Sequence, residues 1–244
     1  MGLKSSIALC ALLLLGCQRE QWDDCITSAG PMRQEERGVA DFTAIDIEDK
    51  VDLLFEHRPP NAVGVEAGRN LLGQVVTEVR DGTLFIRNDN RCNWVRSFKP
   101  RITVKVPLQQ VDLLTVRGTG NVTCADTLVR ERFVLAQRGA VGSVRLLLNV
   151  ASLDAGLHSG AGDVTLIGRC SGRADLFSGI MGPIDASGLR TTHVSVNNSG
   201  IADVRCWAID RLEVQLNDVG NVIYRGDPQE VQTWINGTGR LIRE

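Results

Sequence analysis

From Phe42 onward, apolar and polar residues alternate in short runs, the period of two that places successive side chains on opposite faces of a strand. Phe42–Ile47, Val51–Phe55 and Val63–Ala67 alternate in this way, with the Arg58-Pro59-Pro60-Asn61 turn between the second and third. Asn70 is placed to cap a brief helical turn through Leu71 and Leu72. Val75–Arg80 and Thr83–Arg87 flank Asp81-Gly82. A two-residue Asp-Gly link predicts a type I′ hairpin, because both residues tolerate positive φ. Arg101–Val106 is a further strand, stopped by Pro107.

Beyond Leu113 the alternation acquires a longer period. A glycine signature recurs as Gly118-Thr-Gly-Asn-Val122, Gly139-Ala-Val-Gly-Ser-Val144, Gly160-Ala-Gly-Asp-Val164, Gly179-Ile-Met-Gly-Pro-Ile184 and Gly200-Ile-Ala-Asp-Val204. Degenerate copies follow at Asp218–Val222 and Gly237–Leu241. With Gly120, Gly142, Gly162, Gly182, Ala202, Gly220 and Gly239 as markers, the steps are 22, 20, 20, 20, 18 and 19 residues. Two places after the markers stand Val122, Val144, Val164, Ile184, Val204, Val222 and Leu241. Four places after stand Cys124, Leu146, Leu166, Ala186, Cys206, Tyr224 and, as an exception, Arg243. Counting back six and eight places gives weaker apolar rows, including Leu114, Leu176, Val196 and Val214, and Val134, Ala174, Val194 and Leu212. A repeat of about twenty residues predicts a stacked solenoid. The expected fold class is all-β: a right-handed parallel β-helix-like solenoid, with a smaller β-rich region before it. Seven coils at about 4.8 Å each span roughly 34 Å. The turn glycines are expected to provide positive φ and close backbone approach. Asp154, Gly156 and His158 break the inward pattern in the third coil, which predicts a bulge or register shift there.

The amino end changes the picture by adding an export signal. Lys4 precedes the apolar run Ile7–Leu15, too short to span a membrane and suited to a signal-peptide core. Leu14-Leu15-Gly16-Cys17 resembles the bacterial lipobox, after which Cys17 would carry lipid and anchor by burying alkyl chains. Gln18 directly after Cys17 favours the outer membrane. The expected layout is a lipoprotein signal peptide over 1–16, a lipidated tether over 17–40, a β-rich region over 41–108 and solenoid repeats over 109–244. Acidic and basic residues nearly balance, 29 against 27, and no basic cluster stands out, which argues against a nucleic-acid partner. Low aromatic content, 5%, with abundant Gly and Val suits small stacked interiors.

Several of these segments together carry a resemblance. They are Phe-x-x-Ile (Phe42 to Ile45), Asn-Leu-Leu (Asn70 to Leu72), Thr-Glu-Val-x-Asp-Gly-Thr-Leu (Thr77 to Leu84), Val-x-Val-Pro (Val104 to Pro107) and the iterated Ser-Gly-x-Gly-Asp-Val units. In this order they resemble the auto-transporter adhesin family with the head GIN domain, over roughly Phe42 to Arg243. The resemblance implies a β-helical domain on the cell envelope with an adhesin-like role, and carries no ligand or catalytic residue over to this chain.

Candidate chemistry was sought on this frame. Gly-x-Gly-Asp units are similar to calcium-binding β-roll loops, but those repeat every nine residues. Here the column after the markers reads Asn121, Ser143, Asp163, Pro183, Asp203, Asn221, Arg240, with its carboxylates about 10 Å apart. Calcium needs six to eight oxygens at one point, so turn stabilisation is the better reading and no metal or cofactor is expected. His57, His158 and His193 fall at unrelated phases, as do Glu131, Asp154, Asp175 and Glu213. No catalytic set assembles. Arg138, His158, Ser178 and Asn198 each stand four before a marker; this row reads as a polar outer face and a candidate binding site. Phe133, Leu135, Leu153, Leu157 and Phe177 fall on the outward alternation. They form either an interface for a partner or second copy, or a patch covered by the strands of Phe42–Val106. Cys124 and Cys206 lie four coils apart, about 19 Å, and are expected to be buried and free. Cys25 and Cys92 remain as a candidate disulfide. The expected function is an envelope lipoprotein acting as a binding or adhesin-like module toward a glycan or protein. The alternatives are a polysaccharide lyase or hydrolase on the same scaffold, or a purely structural role.

Overall fold

The computed structural model describes residues 28–90, 101–179 and 181–244. Every coil of the stack contributes one strand to each of two parallel faces. The first face holds β2 (Ala44–Ile47), β6 (Thr83–Asn88), β8 (Leu113–Val116), part of β10 (Leu128–Ala140) and β16 (Glu230–Ile235). The second holds β3 (Asp52–Glu56), β7 (Thr103–Pro107), β9 (Val122–Cys124), β15 (Val222–Arg225) and β17 (Leu241–Arg243). The long strands β11 (Val144–Gly160), β12 (Val164–Ser178), β13 (Ile184–Asn198) and β14 (Val204–Leu216) bend from the second face onto the first. Val144 pairs with Val164, Val164 with Ile184, Ile184 with Val204, Val204 with Val222 and Val222 with Leu241. The row two places after each marker is thus a single inward column.

The smaller β region expected before the repeats is present, and its strands continue into the same stack. Within residues 41–108, Ile45 pairs with Leu114 and Leu53 with Val122, both in parallel. On its other edges the same coil pairs with the later chain, Ile45 with Leu84 and Leu53 with Val104. The β2–β3 coil therefore lies between β6–β7 and β8–β9, out of chain order. Antiparallel strands close this end. β4 (Ala62–Gly68) lies on β7, β1 (Met32–Gly38) on β4, and β5 (Val75–Arg80) on β6. β1 falls within the span expected as a tether, so that span's last residues belong to the folded body. The β5–β6 hairpin turns at Asp81 (φ 49°) and Gly82 (φ 72°), the type I′ turn that its sequence predicts.

The interior is one continuous apolar cluster running from Phe42 to Val222. Its inward column on the first face is Ile45, Leu84, Leu114, Leu135, Ala155, Leu176, Val196 and Val214. This corrects the expected row at coils two and three. Leu114, Leu176, Val196 and Val214 stand six residues before their markers, but Leu135 and Ala155 stand seven before theirs. Each of these two coils carries one extra residue at the corner, and the pairing slips there, between Gln137 and Ala140. One residue reverses inside and outside along a strand. Phe133, Leu135, Leu153 and Leu157 are therefore 0–2% exposed and belong to the core, whereas Val134 is half-buried. Phe177, in a coil without the extra residue, is half-buried on the outer side. The expected apolar outer patch does not exist as such.

Candidate functional site

The marker corner is built from backbone packed on backbone. A Cβ on Gly120 would stand 1.8 Å from the Val51 carbonyl oxygen, on Gly142 1.9 Å from that of Gly120, and on Gly182 1.9 Å from that of Gly162. Close approach, not positive φ, is what these markers require, which narrows the sequence expectation. Positive φ occurs in the signature at Gly139 (77°) and Gly160 (106°), the corners that accommodate the extra residue. The next column is a polar ladder running from coil to coil. Asn121 Oδ1 accepts the Ser143 N–H (3.1 Å), and Ser143 Oγ bonds Asp163 Oδ1 (2.6 Å). Asp203 Oδ1 accepts both the backbone N–H and Nδ2 of Asn221 (2.9 and 3.0 Å), and Asn221 Oδ1 accepts the Arg240 N–H (3.0 Å). These side chains hold turns together. Among the described residues no three His, Cys, Asp or Glu side chains are placed to hold a metal ion.

With the marker pressed inward and the next residue tied to its neighbours, the residue before the marker is pushed into solvent. That column reads Thr119, Val141, Ala161, Met181, Ile201, Val219 and Thr238. Val141, Met181, Ile201 and Val219 are 52–63% exposed, and Ala161 is exposed between them. Successive coils place these side chains about 4.8 Å apart, so they form an apolar ridge along one edge of the molecule. Beside the ridge lies an open groove of about 350 Å³, lined by His158, Ser159, Gly179, Met181, Ile201 and Asp218 among others. Ser199 also lines it, and its Oγ accepts from Asn217 Nδ2 (2.8 Å), which donates to Asn197 Oδ1 (3.1 Å) as well; Asn236 Nδ2 in turn donates to Asn217 Oδ1 (2.9 Å). Sequence reasoning passed over this ridge, although its column is adjacent to the glycines that define the repeat.

The expected polar row divides in two. Arg138 and His158 are exposed, while Ser178 and Asn198 are fully buried. The extra corner residue is again the reason: inside the stack the column runs Val116, Gln137, Leu157, Ser178, Asn198, Leu216. Asn198 closes its corner, donating from Nδ2 to the carbonyls of Ala202 (3.0 Å) and Asn221 (3.2 Å) and accepting the Gly200 N–H (3.1 Å). The His158 ring lies 5.2 Å from that of Phe177. Burial, and then the Arg138 cation, hold its pKa below the ordinary histidine value. Of the four acids at unrelated phases, Asp175 and Glu213 are held in ion pairs. Arg173 holds Asp175 (2.8 Å) and Glu213 (3.2 Å), and Arg211 holds Glu213 (2.7 Å) and Glu230 (3.3 Å).

Cys124 and Cys206 are free thiols, Cys206 buried and Cys124 half-buried rather than fully buried; Cys170 is free and buried. Burial raises all three thiol pKa values, and that of Cys206 to about 12. Cys17, Cys25 and Cys92 lie outside the described residues. Among the described residues no helix is long and apolar enough to cross a membrane.

A profile described as "Putative auto-transporter adhesin, head GIN domain" matches residues 41–228. Among solved structures, a putative adhesin of Bacteroides fragilis superposes with a TM-score of 0.80 at 22% identity, covering 89% of this chain and all of the other. A putative adhesin of Parabacteroides distasonis gives 0.67 at 21%, covering 89% and 99%. A putative lipid binding protein of the same species gives 0.66 at 20%, covering 88% and 97%. At these identities the likeness establishes the fold. No curated protein matches the chain.

Proposed function

The chain belongs to the auto-transporter adhesin family with the head GIN domain, and from that premise we propose a lipid-anchored envelope protein whose solenoid is a non-catalytic adhesive module. The apolar ridge of Val141, Ala161, Met181, Ile201 and Val219 carries this reading. Apolar side chains at a turn contribute nothing to the core, and a straight row of them beside a groove lined by His158, Ser159, Ser199 and Asp218 is a surface suited to a protein partner. Cys17, acylated after cleavage of residues 1–16, anchors the module, and Gln18 directs it to the outer membrane. The names of the solved relatives, two adhesins and one lipid-binding protein, are in keeping with surface binding.

The test has two parts. Labelled palmitate is expected to enter the protein in cells and to be lost from Cys17→Ser. The purified chain, screened against envelope and host-surface proteins and glycans, is expected to bind a protein, and Met181→Asp/Ile201→Asp is expected to abolish that binding at unchanged melting temperature. Cleavage of any bound polymer, detected by product analysis, would overturn the non-catalytic reading in favour of a carbohydrate-active enzyme.

A further inference from the structure

A second column on the second face concentrates charge. Asn149 pairs with Arg169, Arg169 with Arg190, Arg190 with Trp207 and Trp207 with Arg225. Four successive rungs, about 4.8 Å apart, thus present Arg, Arg, Trp and Arg outward. Eleven arginine and lysine side chains elsewhere are matched by acids, yet Arg169, Arg190 and Arg225 form no ion pair among the described residues.

 At the carboxyl end of the column the neighbouring acids are occupied: Glu244 pairs with Arg205 (3.0 Å) and Asp227 with Arg243 (2.8 Å).

Trp207 organises the column. The Arg225 guanidinium carbon stands 4.2 Å from the centroid of the indole and that of Arg190 5.9 Å from it. A guanidinium stacked on a ring keeps its N–H groups free in its own plane, the geometry that grips carboxylate, sulfate or phosphate oxygens. Arg169 and Arg190 place like charges on adjacent rungs, where they repel, and an anion laid along the column relieves that repulsion.

We propose that Arg169, Arg190, Trp207 and Arg225 form a binding site for an extended anionic polysaccharide, whose acidic groups recur along its length as the arginines recur along the stack. A linear array favours a linear polymer over a membrane, which is gripped by broader clusters of four to eight basic residues. Trp207 is the one aromatic side chain in the column, not the series of stacking platforms on which successive bases of a nucleic acid rest. The column lies six to nine residues beyond the ridge in each coil, on the order of 20–30 Å of extended strand, so the two surfaces stand or fall separately.

The test uses the full chain with fluorescent dextran sulfate and polygalacturonate, with neutral dextran as reference. The wild type is expected to bind at least one of the two polyanions, more weakly as salt rises. Arg169→Gln/Arg190→Gln is expected to weaken binding at least tenfold, and Trp207→Leu to weaken it at unchanged net charge. Arg132→Gln/Arg240→Gln removes the same charge elsewhere and is expected to stay within twofold of wild type. Arg169 and Arg190 are exposed, so both variants should fold; if the double variant melts early, Arg169→Gln alone supplies the reading. Binding no tighter than to neutral dextran, equal loss in the Arg132/Arg240 control, or tighter binding to phosphatidylglycerol vesicles or single-stranded DNA overturns the proposal.

Discussion

Asn198 shows how much one side chain can carry in a stacked fold. It is fully buried, and its amide meets two backbone groups of the corner that follows it and one of the next coil's corner. Asn198→Ala leaves these groups without partners and is expected to cost about 2–4 kcal/mol, taking each buried orphan at roughly 1–3 kcal/mol with partial relief; denaturant unfolding measures it. The two kinds of glycine should separate in the same assay. Gly139 needs only its positive φ, since a Cβ there meets nothing nearer than 4.0 Å, so Gly139→Ala should cost about 1–2 kcal/mol. Gly142→Ala drives a Cβ into the Gly120 carbonyl and should cost distinctly more, because the backbone of two coils must part. His158 gives a pH signature. Its folded pKa is lowered, so the fold favours the neutral ring; that contribution is complete above the unfolded value near 6.5 and is lost as pH falls through the lower folded value. An NMR titration of the ring is expected to show a midpoint below 6.5. Cys206, with its thiol pushed up to about 12, should resist alkylation at pH 8 until the protein is unfolded.

At the scale of elements, the sequence made most of the architecture legible. The Asp81-Gly82 hairpin, the inward columns after each marker and the repeat period all follow from local chemistry that the fold does not override. What was hidden is a single residue. Counting back from the markers assumes that every corner has the same length, and the extra residue in coils two and three inverts the faces of Phe133, Leu135, Leu153 and Leu157. Pairing partners reveal this, and a lone sequence does not contain them. The ridge was hidden differently. Val141, Met181, Ile201 and Val219 have the composition of core residues, and their exposure depends on how tightly the neighbouring glycine is pressed against the coil before it. Deleting Gly139 should test the corner directly. It restores six-residue spacing between Leu135 and its marker, forces the β10 strand to choose between its old core and its old corner, and is expected to lower the melting temperature by more than Gly139→Ala does.

Across the whole molecule, the continuity of the body from front to rear is not written in any local motif. The runs of the front lack the glycine signature, so nothing local tells how they meet the repeats; parallel pairing with β8 and β9 joins front to rear through one core. A chain cut after residue 108 is therefore expected to expose the β2 and β3 edges and to aggregate rather than fold, as light scattering would report.

The placement of β2–β3 between two coils that follow it in the chain has a mechanical consequence. In the rear, each coil is held by its neighbours in chain order, so tension applied to the carboxyl end can peel one layer after another at modest, repeated force. At the amino end the same pull meets strands locked on both edges, and two ladders must break together. The molecule is a laminate at one end and a dovetail at the other, and the end that would face a tether is the one built to hold.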